Sequence, residues 1–311
     1  MRTKRTNKVL FVGGLSAGIL SAAAFLFGLA VGAYRLPPYG LIASARNELT
    51  GQHEEAFYND PLFRKHVSCP EDAVVVFGMG QSNASNTNSS VSSPVYNHPV
   101  YNFFEGNCYI LQDPVLGADS YGGSIWPHLA SELSAFTDKP VVVAVRAKSG
   151  SAIGRWLPPS RYTDSVKREL ERLAEANLEP ELFIWFQGET DAAEGIDTVA
   201  YEKSLALLVD TIAPKSTWLV VDTSVCGKVR EKYVPLGLAR ERLMDARSNI
   251  IVGPDTDVLG DRFRHDSCHF NWLGKKAVVE GIMETLSGTE LLTDPEVGHI
   301  RSSEFESKGA L

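Results

Sequence analysis

The run Ala73-Val74-Val75-Val76-Phe77-Gly78-Met79-Gly80-Gln81-Ser82-Asn83 decides the fold. Its first five residues are apolar without alternation, three of them valine, which reads as a strand buried on both faces. It then breaks into Gly80-Gln81-Ser82-Asn83, where glycine permits a sharp turn and a polar cluster follows. Four more runs have this character: Pro140 to Val145, Leu182 to Phe186, Thr217 to Asp222 and Ile250 to Val252. Between them apolar residues recur at helical spacing, as in Val166, Leu170 and Leu173, in Tyr201, Leu205, Leu208 and Ile212, and in Val278, Ile282 and Leu286. Strand alternating with helix predicts one α/β domain, a parallel five-stranded sheet covered on both faces.

Such a sheet binds ligands beyond the carboxyl ends of its strands, so the polar residues that follow each apolar run carry the functional reading. After the first run stands Gly80-Gln81-Ser82-Asn83, after the second Lys148-Ser149-Gly150-Ser151, and after the third Gln187-Gly188-Glu189-Thr190-Asp191. Beyond the fifth, ahead of the last helix, stands Arg264-His265-Asp266-Ser267-Cys268-His269. One edge thus gathers a hydroxyl, backbone donors, an amide with carboxylates, and an Asp/His pair. Those are the parts of an acyl-transfer site.

In that reading Ser82 is the nucleophile and His269 its base, because a serine hydroxyl attacks only with a base within hydrogen-bond reach. Asp266, three residues before His269, orients the imidazole. The oxyanion is met by the N–H groups of Ser82 and Gly150 and the side-chain amide of Gln187. Glu189 is a supporting acid and the alternative partner of His269. The plain alternatives are a solvated turn at Ser82 and helix caps at Asp266 and Asn271. His265, Asp266, Cys268 and His269 crowd four candidate ligands into five residues with no CxxC or HExxH beside them, so neither metal nor cofactor is expected. No G-x-S-x-G surrounds Ser82, which removes the α/β-hydrolase arrangement. The sequons Asn83-Ala84-Ser85 and Asn88-Ser89-Ser90 fall in the presumed active-site loop, where a glycan would block the pocket, and read as chance.

The rest of the chain bounds this reading. In 311 residues, 44% hydrophobic, there is room for a sizeable core. The formal charge is −8, and more negative still once Arg2, Lys4, Arg5 and Lys8 are set aside. An acidic body argues against a nucleic-acid partner. Val9 to Tyr34 is uncharged over 26 residues behind those four cations. About twenty apolar residues suffice to cross a bilayer, and a signal-peptide core is shorter, so the stretch reads as a retained anchor with the N-terminus cytoplasmic. Secretion after cleavage is the alternative. The resulting plan is a basic tail (1–8), a transmembrane signal anchor in the lipid bilayer (9–34), a stalk (35–68), the catalytic domain (69–292) and a polar tail (293–311). Of four cysteines, Cys226 and Cys268 belong at the carboxyl edge of the sheet and Cys69 at the opposite edge, which favours a Cys226 to Cys268 bridge, with Cys108 the competing partner.

G-Q-S-N after the first strand, W-x-Q-G-E-x-D over Trp185 to Asp191, and D-x-x-H at Asp266 to His269 resemble the SGNH (GDSL) hydrolase superfamily. They are most similar to its sialate O-acetylesterase-like branch, which includes acetyl xylan esterases. The resemblance covers roughly Ala73 to Ser287. It implies a flavodoxin-like three-layer α/β/α fold and metal-free hydrolysis of an acyl ester on a carbohydrate, with Ser82, His269 and Asp266 as triad and Gly150 as oxyanion glycine. Gln187 stands where the wider superfamily has Asn. The expected protein is a membrane-anchored, extracytoplasmic carbohydrate O-acetylesterase. The alternatives are a lipid esterase or thioesterase on the same triad, or a non-catalytic sugar-binding domain.

Overall fold

A computed structural model describes residues 24–28, 61, 64–92 and 96–289. The chain divides into two units, Met1–Ala56 and Phe57–Leu311. The second carries an eight-stranded sheet built from β1 (His66–Val67), β2 (Val74–Gly80), β3 (Val100–Phe104), β4 (Asn107–Ile110), β5 (Val141–Ala147), β6 (Leu182–Phe186), β7 (Thr217–Asp222) and β8 (Ile250–Asp255). Their spatial order is β1-β4-β3-β5-β2-β6-β7-β8. From β3 to β8 every neighbour pair is parallel. The five anticipated runs form the contiguous block β5-β2-β6-β7-β8, and every residue of β2, β5 and β6 is buried.

Helices cover both faces, as alternating side chains on the central strand require. Val74 and Val76 of β2 pack with α1 (Trp126–Thr137) and α6 (Trp272–Ser287) through Trp126, Leu129, Val278 and Ile282. Val75, Phe77 and Met79 face α2 (Arg161–Glu175), α4 (Thr198–Ile212) and α5 (Val234–Ala246) through Val166, Tyr201, Leu205 and Leu236. A short α3 (Glu189–Glu194) follows β6 directly. Side-chain oxygens of Ser160, Asp197 and Asn271 cap the starts of α2, α4 and α6, each such cap contributing about 1 kcal/mol.

The sheet corrects the expected purely parallel five-stranded one, being mixed and eight-stranded. β3 joins β5 in parallel, then Glu105 and Gly106, both at positive φ, turn the chain back into an antiparallel β4. The two-residue β1 pairs antiparallel with β4 and draws His66 and Val67, at the end of the expected stalk, into the sheet.

The expected single-pass placement is also corrected. Among the described residues no helix is long and apolar enough to cross a membrane. Of the 9–34 stretch only residues 24–28 are described, and they are helical. The remainder of that stretch lies outside the described residues. The expected basic tail, most of the stalk and the 293–311 tail lie outside the described residues.

Candidate active site

β2 ends against β6 at Gly80, where a Cβ would lie 2.0 Å from the Phe186 carbonyl oxygen, so only glycine allows the approach. The same oxygen accepts from the Gln81 N–H at 3.1 Å. A single turn of 3-10 helix, Ser82–Ala84, then lifts Ser82 over the edge of the sheet. The Thr87 hydroxyl donates to the Ser82 carbonyl and closes the loop behind it.

The loop ahead of α6 is stitched to this turn. Ser89 N–H donates to Phe270 O at 2.9 Å, Phe270 N–H to Asn88 Oδ1 at 2.9 Å, and Asn83 Nδ2 to Cys268 O at 3.4 Å. His265 Nε2 lies 3.2 Å from Thr87 O. Within the loop, Asp266 Oδ1 accepts from the His269 N–H at 2.7 Å and the Cys268 N–H at 3.1 Å, while Oδ2 lies 2.7 Å from His269 Nδ1. Partial burial pushes the Asp266 carboxyl upward, but the His269 ring and those two N–H groups outweigh it and hold the group below its usual value. Ser267, between them, sits at φ +63°, a left-handed conformation that costs a serine about 1 kcal/mol or more and persists only where the surroundings enforce it. Here they include the Cys226–Cys268 disulfide, the expected pairing, and the Gly227 N–H on the Ser267 carbonyl at 3.3 Å. The second disulfide joins Cys69 to Cys108.

Glu189 and Gln187 face inward. Glu189 is 2% exposed, and its Oε1 accepts from Asn83 Nδ2 at 2.7 Å, a contact that braces the Ser82 turn. Burial drives its carboxyl upward, the Asn83 hydrogen bond offsetting part of the effect. Gln187 Nε2 donates within the protein, to Gln81 Oε1 and Ser151 O at 3.2 Å each and to Asp191 Oδ2. Its Oε1 accepts from the Tyr201 hydroxyl at 3.0 Å. Gln187 therefore ties three loops together, and its two amide hydrogens are engaged there. Asp191, whose carboxyl burial also pushes upward, accepts in addition from the Ile153 N–H at 2.8 Å.

Gly150 has φ +66°, with nothing among the described residues within 4 Å of where a Cβ would stand. The left-handed turn, and not a crowding neighbour, is what calls for glycine there. Among the described residues neither the Ser82 nor the Gly150 N–H donates to a protein acceptor. Asn83 and Asn88 are 0% and 1% exposed, so neither sequon can be glycosylated in the folded protein.

His265, Asp266 and His269 offer three ligand atoms within 4.8 Å of one another. The turn therefore gathers three of the four crowded groups more closely than their spacing suggested, while Cys268 is tied in a disulfide and offers no thiolate. Arg264 is a supporting residue that the sequence reading passed over. It donates to Cys268 O and, at 2.9 Å, to Thr256 O, with its guanidinium 4.6 Å from the Phe270 ring centre. As the first residue of the run from Arg264 to His269 it gave no signal beyond an arginine next to a histidine.

Residues 126–222, from α1 to the end of β7, match the family model described as carbohydrate esterase, sialic acid-specific acetylesterase. Over that stretch the chain is similar to the carbohydrate-esterase family. The matched part of the esterase includes Gly150, Gln187 and Glu189, whereas the Ser82 turn and the Asp266 to His269 loop flank it. A carboxylic ester hydrolase is thus placed on a three-layer fold. Among solved structures, a protein of Arabidopsis thaliana is similar at 14% identity and TM-score 0.55, covering 68% of this chain and 97% of its own. A carbohydrate acetylesterase from Xanthomonas citri aligns at 14% identity and TM-score 0.46 over 70% of this chain and 57% of its own. A lipase/acylhydrolase from Enterococcus faecalis aligns at 13% identity and TM-score 0.45 over 69% and 96%. No curated protein matches the sequence of the esterase.

Proposed function

We propose that the domain removes O-acetyl groups from a carbohydrate by a Ser82-His269-Asp266 mechanism. The observation that carries this reading is the two-point hold of Asp266 on His269, in a loop stitched directly to the Ser82 turn. Ser82 Oγ adds to the acetyl carbonyl carbon as its proton passes to His269 Nε2, while Asp266 stabilises the imidazolium. The oxyanion is met by the Ser82 and Gly150 N–H groups, each left without a protein acceptor among the described residues. Collapse breaks the C–O bond to the sugar, whose oxygen takes the proton from His269. Water, deprotonated by His269, then hydrolyses the acetyl-serine and releases acetate. Gln187 serves by bracing the loops on either side of Ser82 and Gly150. Acidic overall charge and the Asn/Ser-rich loop beyond Ser82 suit a neutral acetylated sugar.

Hydrolysis of p-nitrophenyl acetate, of longer p-nitrophenyl esters and of acetylated xylan tests the proposal. Activity on acetyl esters that falls with acyl length and disappears in Ser82→Ala is expected, and it should withstand EDTA. A preference for long acyl chains would favour a lipid substrate instead. Loss in EDTA that zinc restores would make His265, Asp266 and His269 a metal centre.

A further inference from the structure

We propose that Asp119 is a positioning residue for the oxyanion-binding loop, an inference that rests on the serine-esterase reading above. Asp119 lies between β4 and α1, outside every motif in the sequence, yet it is only 6% exposed. Its side chain holds the loop after β5 that presents Gly150. Oδ1 accepts from the Ser149 N–H at 3.0 Å and from the Ser149 hydroxyl at 2.8 Å, and Oδ2 pairs with Lys148 Nζ at 3.2 Å. The same residue holds the loop of the nucleophile. Its carbonyl accepts from the Asn86 N–H at 3.0 Å, and the Ser85 hydroxyl donates to its carbonyl and carboxylate oxygens. Its own N–H donates to Ala147 O at 3.2 Å, at the end of β5.

One residue thus fixes the distance between the two backbone segments whose N–H groups would meet the oxyanion. Gly150 gains from such an anchor, because among the described residues nothing lies within 4 Å of the side on which a Cβ would stand. Beyond it, Ser151 O and the Ile153 N–H are gripped by Gln187 and Asp191, so the segment from Ser149 to Ile153 is clamped at both ends with Gly150 standing free. Donors aimed in advance at the developing charge act in the transition state rather than on the bound ester. Displacing the Gly150 N–H by an ångström should therefore reduce kcat while leaving KM almost unchanged.

The test compares Asp119→Ala, Asp119→Asn, Ser149→Ala and Ser82→Ala in p-nitrophenyl acetate hydrolysis, together with the rate at which diethyl p-nitrophenyl phosphate modifies Ser82. Removing one oxyanion donor costs about 10²- to 10³-fold in kcat, and Asp119→Ala should lose about 10²-fold with KM within about threefold. Phosphorylation of Ser82 should slow by a similar factor, since its P=O oxygen occupies the same donors. Asp119→Asn keeps an oxygen at Oδ1 and should stay within about tenfold of wild type. Ser149→Ala, which removes one of the two contacts and leaves the backbone intact, should lose several-fold and decides the matter if Asp119→Ala does not fold. The proposal is overturned by Asp119→Ala or Ser149→Ala turning over at the wild-type rate. Equal losses in Asp119→Ala and Asp119→Asn overturn it as well, as does a kcat loss without slower phosphorylation. Full activity in Ser82→Ala would instead defeat the serine mechanism itself.

Discussion

Asp266 holds His269 at two points, one carboxylate oxygen on the backbone N–H and the other on ring Nδ1, both at 2.7 Å. The three-residue turn fixes the imidazole by its main chain and its ring at once. Glu189, by contrast, holds Asn83 and is buried away from solvent. Asp266→Asn should therefore lower kcat by about 10²- to 10⁴-fold, because an amide N–H facing Nδ1 selects the wrong tautomer. Glu189→Gln should cost less than about tenfold, its amide oxygen still accepting from Asn83. Steady-state kinetics of the two variants decide, and the reverse ranking would transfer the orienting role to Glu189.

The same two carboxyls should leave opposite marks on stability against pH. The Asp266 carboxyl is held below its usual value, so its contribution is present above about pH 4 and is lost as pH falls through the lower folded value. The stability deficit of Asp266→Asn should shrink as pH drops below about 4. The Glu189 carboxyl is raised by burial, so it ionises at a cost to the fold as pH rises above about 4.3. Glu189→Gln should gain in Tm relative to wild type between about pH 4 and pH 8. Melting curves from about pH 2 to about pH 8 check both signs.

The two disulfides should separate stability from turnover. Cys226–Cys268 closes over the loop that carries His269, whereas Cys69–Cys108 joins the segment before β2 to the antiparallel hairpin. Each has a sequence separation near forty residues and should contribute about 2–4 kcal/mol. The double serine variant of either pair should melt lower. Only the Cys226/Cys268 variant should also lose kcat, by about tenfold or more, measured well below its Tm. Equal kcat losses in both would show that the effect is global.

Gly150→Ala isolates backbone conformation from crowding. The methyl group meets nothing among the described residues within 4 Å, so any penalty comes from φ +66°, about 1 to 2 kcal/mol for a residue with a Cβ. The loop should relieve that strain by turning its N–H away. A kcat loss above about tenfold with a Tm shift of only a few degrees is expected, measured by kinetics and calorimetry.

The strands that build the site were legible because they are uniformly apolar, and the polar loops stood out against them. β3 was not, since Asn102 breaks its apolar run. Asn102 is nevertheless 2% exposed, its amide donating to Val143 O at 3.1 Å and its Oδ1 accepting from the Leu116 N–H at 2.6 Å. A polar residue satisfied from another segment looks like a loop residue until that segment is in place. Asp119 escaped for the same reason, since its partners lie about thirty residues away on both sides. Gln187 shows the converse: its type and place suggested a donor to substrate, while its neighbours Gln81, Ser151 and Asp191 take up that capacity. The apolar count of residues 9–34 suggested a membrane span that no described helix provides.

The two borders of the sheet bear on how the molecule behaves at high concentration. One ends in β1, only two residues long, and the other in β8, where Pro254 lacks an N–H. An incoming strand from another chain would find two residues to pair with at one side and an interrupted row of donors at the other. Six strands in parallel, a slow-forming arrangement with exposed rims during assembly, are thereby finished with borders that discourage stacking into fibrils. Extending β1 or replacing Pro254 by a β-branched residue would turn either rim into a template for self-association.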